Sequence, residues 1–152
     1  CLGGVLILSG GSFRDDYCKT KTFPLGKLRY YRFVVVFARY NGKWLYCRHK
    51  RRNTWETAGG HIELEETALE AAKRELWEET GATDFDMRPL FDYSVYTPTE
   101  FANGQVFLAN IHKLGTLPGF EMCEVMTCDT YPKQLTYPDI LPVLIKKASI
   151  MI

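Results

Sequence analysis

The chain has 152 residues, 46% hydrophobic and 14% aromatic, with 19 Lys and Arg against 18 Asp and Glu for a formal net charge of +1. That composition builds one globular domain with a sizeable core and excludes a disordered, collagenous or multidomain chain. So small a net charge also excludes bulk attraction to DNA or to a membrane surface. Neither is expected as a stable partner, and local charge has to carry the function.

A single domain over 1–152 is expected, with an N-terminal extension over 1–27. Residues 1–10 (CLGGVLILSG) are apolar but follow no basic stretch and precede no small-residue cleavage site, so they read as an appended remnant or a first strand and not as a secretory signal. No apolar run approaches the roughly 20 residues that span a bilayer. Five cysteines, Cys1, Cys18, Cys47, Cys123 and Cys128, form an odd set without a CxxC pair. This argues against a disulfide framework or structural zinc and for a reducing, cytoplasmic setting.

The β-branched and aromatic run from Leu28 to Arg39, the turn residues Tyr40-Asn41-Gly42-Lys43 and the strand Trp44–Cys47 predict a hairpin. A basic loop, Arg48-His49-Lys50-Arg51-Arg52, follows. Residues 66–80 are rich in Glu, Ala and Leu and stop at Gly81, which predicts a helix with a glycine C-cap. Phe85–Tyr96, Gln105–His112 and Glu121–Cys128 read as strands, and Pro138–Ser149 as a closing amphipathic helix. Strands flanking two helices predict a mixed α/β or α+β layer fold.

Seven of the eleven glutamates (Glu63, Glu65, Glu66, Glu70, Glu75, Glu78 and Glu79) lie between Gly60 and Ala82, opposed by Lys73 and Arg74 alone. With Glu75 at zero on a helical wheel, Glu79 falls at about 40° and Glu78 at about 300°, so three carboxylates share one arc with Ala68 and Ala71. Leu69, Ala72 and Leu76 fill the adjoining sector as the expected core stripe, which sets the carboxylates at the edge of the core. Trp77, at about 200°, points away, toward a loop or a dimer surface. Like charges at this spacing repel, and an oxygen-only donor set of full charge selects a hard cation, Mg²⁺ with Mn²⁺ as substitute.

The stretch from Gly60 to Ala82 (GHIELEETALEAAKRELWEETGA) resembles a complete Nudix box, Gx5Ex7REUxEExGU with U apolar, and every fixed position matches. At this chain's own residue frequencies such a coincidence has a probability on the order of one in a million. The box covers about a seventh of the chain; Gly42-Lys43-Trp44-Leu45, Trp55-Glu56, Glu121 and the strand around Val125 extend the likeness. The resemblance implies the Nudix fold, a mixed β-sheet sandwiched between α-helices. It also implies divalent-metal hydrolysis of a diphosphate linkage in a nucleoside diphosphate derivative.

Carried over by position, the resemblance makes Glu75, Glu78, Glu79 and the Gly59 carbonyl the metal ligands. Arg74 becomes the residue that orients a box carboxylate, and Glu66, half a turn from Glu75, supports the ligands or the loop. A distal glutamate on a later loop acts as general base in many members: Glu121, with Glu124 as rival, and Glu75 itself as the other proton acceptor. Ala58 stands where family members commonly have proline before the two glycines, which loosens the entering loop.

For substrate, the basic loop suits phosphates of a nucleotide or of an RNA 5′ end, with Arg48, Arg51 and Arg52 as candidate contacts and 5′-triphosphorylated RNA as a further substrate. Trp55 is the candidate base-stacking residue, and Tyr30, Tyr31, Phe33 and Tyr96 are further aromatics of that kind. Overall length, the Gly-Lys-Trp-Leu hairpin and the closing Asp139-Ile140-Leu141-Pro142 to Lys146-Lys147 segment are similar to the MutT/YtkD-like group, whose members hydrolyse nucleoside triphosphates, including oxidised purine forms, to monophosphate and pyrophosphate. Pro98, sixteen residues beyond Ala82, resembles an ADP-ribose pyrophosphatase marker and makes a nucleotide sugar the second substrate class. A non-catalytic nucleotide sensor is the third reading, set against the intact box. The chain is expected to act as a monomer or homodimer.

Overall fold

The computed structural model describes residues 18–152. The expectations for residues 1–10 and for Cys1 lie outside the described residues. In chain order the elements are β1 Lys19–Phe23, β2 Phe33–Tyr40, β3 Lys43–His49, β4 Trp55–Glu56, β5 Ala58–His61, helix α1 Ala68–Thr80, β6 Ala82–Tyr96, β7 Phe101–Leu114, β8 Met122–Cys128 and helix α2 Leu141–Ile150. The strands form one mixed sheet in the order β1-β6-β7-β2-β3-β4, with β5 joined to β2 and β8 to β3. This is the sandwich expected from the sequence, with one helix packed against each face.

Strand alternation decides which residue meets which helix. In the almost wholly buried β2, Phe33, Val35 and Phe37 pack with Leu141, Leu144, Ile145 and Ala148 of α2. The intervening Val34, Val36 and Ala38 pack with Ala71, Ala72 and Leu76 of α1. A strand buried on both faces reads as a continuous apolar run, and β2 also carries the parallel pairing to β7, from Phe33↔Gly104 to Arg39↔Asn110.

The other edge of β2 is divided. Phe33–Val36 pairs with β5 and Ala38–Tyr40 pairs with β3. The chain therefore crosses at Thr57 from the β3 ladder (Cys47↔Glu56) to the β2 ladder (Val36↔Ala58), leaving a fork in the sheet beneath α1. β4 and β5 were not expected, because Thr57-Ala58-Gly59-Gly60 has no strand signature of its own; the open edge of β2 makes it one. Ala58, in place of the family's usual proline, is a ladder residue here and is buried in the α1-side core.

The 1–27 extension also contains structure: β1 pairs antiparallel with β6, Lys19 opposite Tyr96. β2 starts five residues later than its apolar run, because Leu28–Arg32 is a loop. There the buried Asp92 carboxylate accepts the Leu28 N–H at 2.8 Å and the Tyr31 hydroxyl at 2.7 Å, and Tyr30 adopts φ 58°. The hairpin turn is as expected, with Asn41 at φ 52° and Gly42 at φ 77°. Helix α1 begins at Ala68 and not at Glu66: Thr67 caps it, its hydroxyl taking the Glu70 N–H while the Glu70 carboxylate takes the Thr67 N–H. Gly81 ends it at φ 81°, where a Cβ would stand 2.7 Å from the Thr116 carbonyl oxygen.

One helical expectation is overturned. The buried residues of α1 are Ala71, Ala72, Glu75, Leu76, Glu79 and Thr80, whereas Leu69 is 39% exposed. The buried arc is rotated toward the carboxylates, so Glu75 and Glu79 lie within it and not at its edge. The broad, small-residue face of Ala71 and Ala72 lets α1 approach β5 closely enough to cover both.

Candidate functional site

The loop before α1 and the helix itself are joined through one guanidinium. Arg74 donates from Nε and Nη2 to the two Glu66 oxygens at 2.7 and 2.9 Å, a bidentate pair. Its Nη1 donates to Glu75 Oε1 at 2.8 Å and Glu78 Oε2 at 3.3 Å, and Nη2 also donates to the His61 carbonyl at 3.1 Å. Glu66 precedes the helix, and its carboxylate also takes the Glu63 N–H at 3.0 Å, which closes the loop around Glu65 at φ 66°. The Glu66 carboxyl is held below its ordinary range by the Arg74 hydrogen bonds, and the guanidinium is pushed up in return. Glu66 thus acts on the loop and on Arg74.

Glu79 is 3% exposed and accepts the Gly59 N–H at 2.8 Å. The N–H and C=O of an extended residue point to the same strand edge, so the Gly59 carbonyl lies on the edge that faces α1. Burial first, and the charge of Glu75 second, push the Glu79 carboxyl up to about 8. Glu78 is also raised, by its own burial and then by Glu75. Among the described residues no three His, Cys, Asp or Glu side chains already converge on one point as metal ligands. Arg74 Nη1 stands between Glu75 and Glu78. The donor set nonetheless fits a hard divalent cation: three carboxylates and a carbonyl, all oxygen, two of the acids buried and mutually repelling.

The basic loop divides. Arg48 is engaged through all three nitrogens, Nε and Nη2 to Glu124 Oε1 at 3.1 and 3.0 Å and Nη1 to the Arg52 carbonyl at 2.8 Å. Arg52 reaches Glu56 Oε2 at 3.4 Å, and the Arg51 side chain is exposed. Glu121 pairs with His49 at 3.2 Å and is 57% exposed, and Glu124 pairs with Arg48. Trp55 packs against the core on the α2 side, opposite the carboxylates, because it alternates with Glu56. Phe33 is fully buried, Tyr31 is tied to Asp92, Tyr96 stacks on Phe101, and Tyr30 is 92% exposed. Trp77 meets a loop residue, Phe120, edge to face at 6.0 Å. Pro98 lies in the β6–β7 turn, which the Thr97 and Glu100 hydrogen bonds close, so turn chemistry accounts for it.

Sequence reasoning missed Glu56 as a site residue. It is fully buried on the α1 side of β4, three residues before Gly59, and burial pushes its carboxyl up. The signal was present: a lone glutamate between apolar residues in a segment leading into the two glycines.

A mixed sheet between two helices, with a loop and helix bound through one arginine to a file of carboxylates, defines the architecture of a Nudix domain. The NUDIX domain family model matches residues 28–129, and the chain belongs to this family. It is 40% identical over 81 residues, 53% of this chain and 51% of the relative, to YtkD of Bacillus subtilis (strain 168), provisionally named an 8-oxo-dGTP diphosphatase. It is 48% identical over 50 residues to the phosphatase NudJ of Escherichia coli (strain K12), 33% of this chain and 27% of NudJ. The chain thus spans about half of one curated relative and about a quarter of the other. Among solved structures, a point mutant of the Bacillus subtilis pyrophosphohydrolase BsRppH superposes with a TM-score of 0.71 at 27% identity, covering 88% of this chain and 90% of that one. Among the described residues no helix is long and apolar enough to cross a membrane.

Proposed function

We propose that this protein hydrolyses a diphosphate linkage in a nucleoside triphosphate, releasing the nucleoside monophosphate and pyrophosphate, with Mg²⁺ as cofactor and Mn²⁺ as substitute. The observation that carries the reading is the α1 face, where Glu75, Glu78 and Glu79 lie together beside Gly59, with Arg74 as the counter-charge. Identity to YtkD supports a triphosphate and an oxidised purine nucleotide as the finer choice. The exposed arginine at 51 and the half-exposed Arg52 suit a polyphosphate chain, including the 5′-triphosphate of an RNA.

A divalent cation bound by Glu75, Glu78, Glu79 and the Gly59 carbonyl would neutralise phosphate charge and make water acidic enough to react near neutral pH. The chain's own residues do the rest. Glu66 fixes Arg74, and Arg74 fixes the rotamers of Glu75 and Glu78. Gly59 fixes Glu79, and burial beneath the β5 crossing excludes bulk water from it. Glu75, buried yet at the cluster's centre, is the proton acceptor at the attacking water; Glu121 serves only after its pairing with His49 is broken.

The test measures phosphate and pyrophosphate release, with and without Mg²⁺, from canonical and oxidised nucleoside triphosphates, ADP-ribose, dinucleoside polyphosphates and 5′-triphosphorylated RNA. Metal-dependent monophosphate and pyrophosphate from a triphosphate is expected. AMP from ADP-ribose alone moves the assignment to nucleotide sugars, and tight nucleotide binding without turnover makes the protein a sensor. Glu78→Gln is expected to abolish metal-dependent turnover with an unchanged circular dichroism spectrum; near-normal activity refutes the α1 face as the metal site.

A further inference from the structure

Among the described residues two carboxylates are wholly buried in the sheet, Asp92 and Glu56, each with 0% exposure. Asp92 is saturated: it takes the Leu28 N–H, the Tyr31 hydroxyl and the Gln105 amide, at 2.8, 2.7 and 3.2 Å. Glu56 is not. Its Oε2 accepts one N–H, from Arg52 Nη1 at 3.4 Å, and its Oε1 has no hydrogen-bond partner. Thr136 also lies beside the carboxylate, yet a buried carboxylate with one oxygen unpartnered weakens a fold, and a neutral side chain of the same size would serve stability better. What the charge secures is the position of Arg52.

That position is at the site. Glu56 sits at the fork where the chain leaves β3 for β2, and Gly59, three residues on, donates to Glu79. Its cross-strand neighbour, the buried Cys47, lies within the field of Glu79, Glu56 and Glu75 together, so the four side chains share one region under α1. Arg52 is held from two directions. Arg48 Nη1 donates to its carbonyl at 2.8 Å while Arg48 is itself anchored on Glu124, and Glu56 holds its guanidinium through Nη1. The Arg52 guanidinium lies against Tyr137 as well as Glu56, its side chain remains 37% exposed, and its planar fork has the geometry that binds phosphate oxygens.

We infer that Glu56 is a positioning residue: from beneath the sheet fork it fixes Arg52 as the cationic arm that receives the polyphosphate chain of the substrate. The inference rests on the pyrophosphohydrolase reading above and adds a role to residues outside the helix. Glu56 touches neither substrate nor cation; Arg52 carries its effect.

The full chain is compared as wild type, Glu56→Gln, Arg52→Ala and the double variant. Inorganic tripolyphosphate in saturating Mg²⁺ is titrated calorimetrically, Mn²⁺ binding is followed by electron paramagnetic resonance, and kcat and KM are measured on the triphosphate that wild type turns over. Glu56→Gln is expected to weaken tripolyphosphate binding and raise KM about tenfold, as Arg52→Ala does, since each removes part of one charge-assisted contact. The double variant should be no worse than Arg52→Ala, with kcat and Mn²⁺ affinity within about twofold of wild type, the pattern of a coupled pair. The melting temperature of Glu56→Gln should equal or exceed that of wild type. Glu56→Asp, which keeps the charge one methylene shorter, should restore part of the affinity and also serves if the Gln variant fails to fold. Additive losses in the double variant, an unchanged tripolyphosphate affinity, or a parallel fall in Mn²⁺ affinity overturns the inference, the last by making Glu56 a cation ligand. Failure of wild type to turn over any triphosphate refutes the hydrolase reading alone, because the tripolyphosphate titration still decides the role of Glu56.

Discussion

Replacing Arg74 by alanine removes a cation that Glu66, Glu75 and Glu78 share. The Arg74 side chain is 23% exposed, Glu66 14% and Glu75 9%, so water reaches the cluster only at its rim. Breaking a fully buried pair typically costs about 3–5 kcal/mol, because the remaining charge has no counter-charge. Partial access to solvent, including the 31% exposure of the Glu78 side chain, lowers this, and about 2–4 kcal/mol is expected here. In a domain of this size that is a fall in melting temperature of roughly 5–15 °C. The pH dependence has a definite sign. The Glu66 carboxyl is held below its ordinary 4.5 chiefly by the Arg74 hydrogen bonds, so its contribution is present above the unfolded value and is lost as pH falls through the folded one. The difference between wild type and Arg74→Ala, measured by urea unfolding in EDTA, should be largest near neutrality and shrink in acid. Arg74→Lys, which keeps charge without the planar fork, should fall between the two. A penalty under about 0.5 kcal/mol at neutral pH, or one that grows in acid, would refute the account of Arg74 as the hub of this cluster.

Gly104→Ala should destabilise by about 1–3 kcal/mol or more in chemical denaturation, because its Cβ would stand 2.3 Å from Cε1 of the buried Tyr93 across the β6–β7 ladder. Among the described cysteines, time-resolved alkylation read by mass spectrometry should label the exposed Cys123 first and Cys47 last, since burial, with Glu79 and Glu56 nearby, pushes the Cys47 thiol up. His112, hydrogen-bonded to Asp86 at 2.8 Å, is held above its ordinary value, so the imidazolium's favourable contribution is present below the unfolded value and lost as pH rises through the folded one. An NMR titration should place His112 above His61, which burial and Arg32 lower; Asp86→Asn should bring His112 down, and no change on that substitution would remove Asp86 as the cause.

Much of the fold was legible locally. The Asn41-Gly42 turn needs two left-handed residues, and those residue types supply them. Thr67 and Glu70 form a capping box, and Gly81 closes the helix, both through hydrogen bonds within four residues. Strands β1, β4 and β5 were not legible, because each exists through pairing with a distant strand and carries little apolar pattern of its own. The wheel also misplaced Leu69: a periodicity gives the spacing of a buried face, but its centre depends on how closely the neighbouring strand approaches. For α1 that neighbour is β5, which presents Gly59 and so makes room for Glu79.

The sequence by itself determined the family, the C-terminal end of α1 at Gly81 and the gathering of Glu75, Glu78 and Glu79 on one helix face, since all follow from residue types at fixed short spacing. Only the tertiary structure decided what those charges meet. Arg74 is turned onto Glu66 by a loop closed on Glu63, Arg48 is spent on a glutamate 76 positions away, and Trp55 faces the opposite side of the sheet. Glu56 is buried at the fork while Glu121 is held outside by His49. Charge partners are set by where distant strands cross and by which groups water can still reach, and neither quantity is local in the chain.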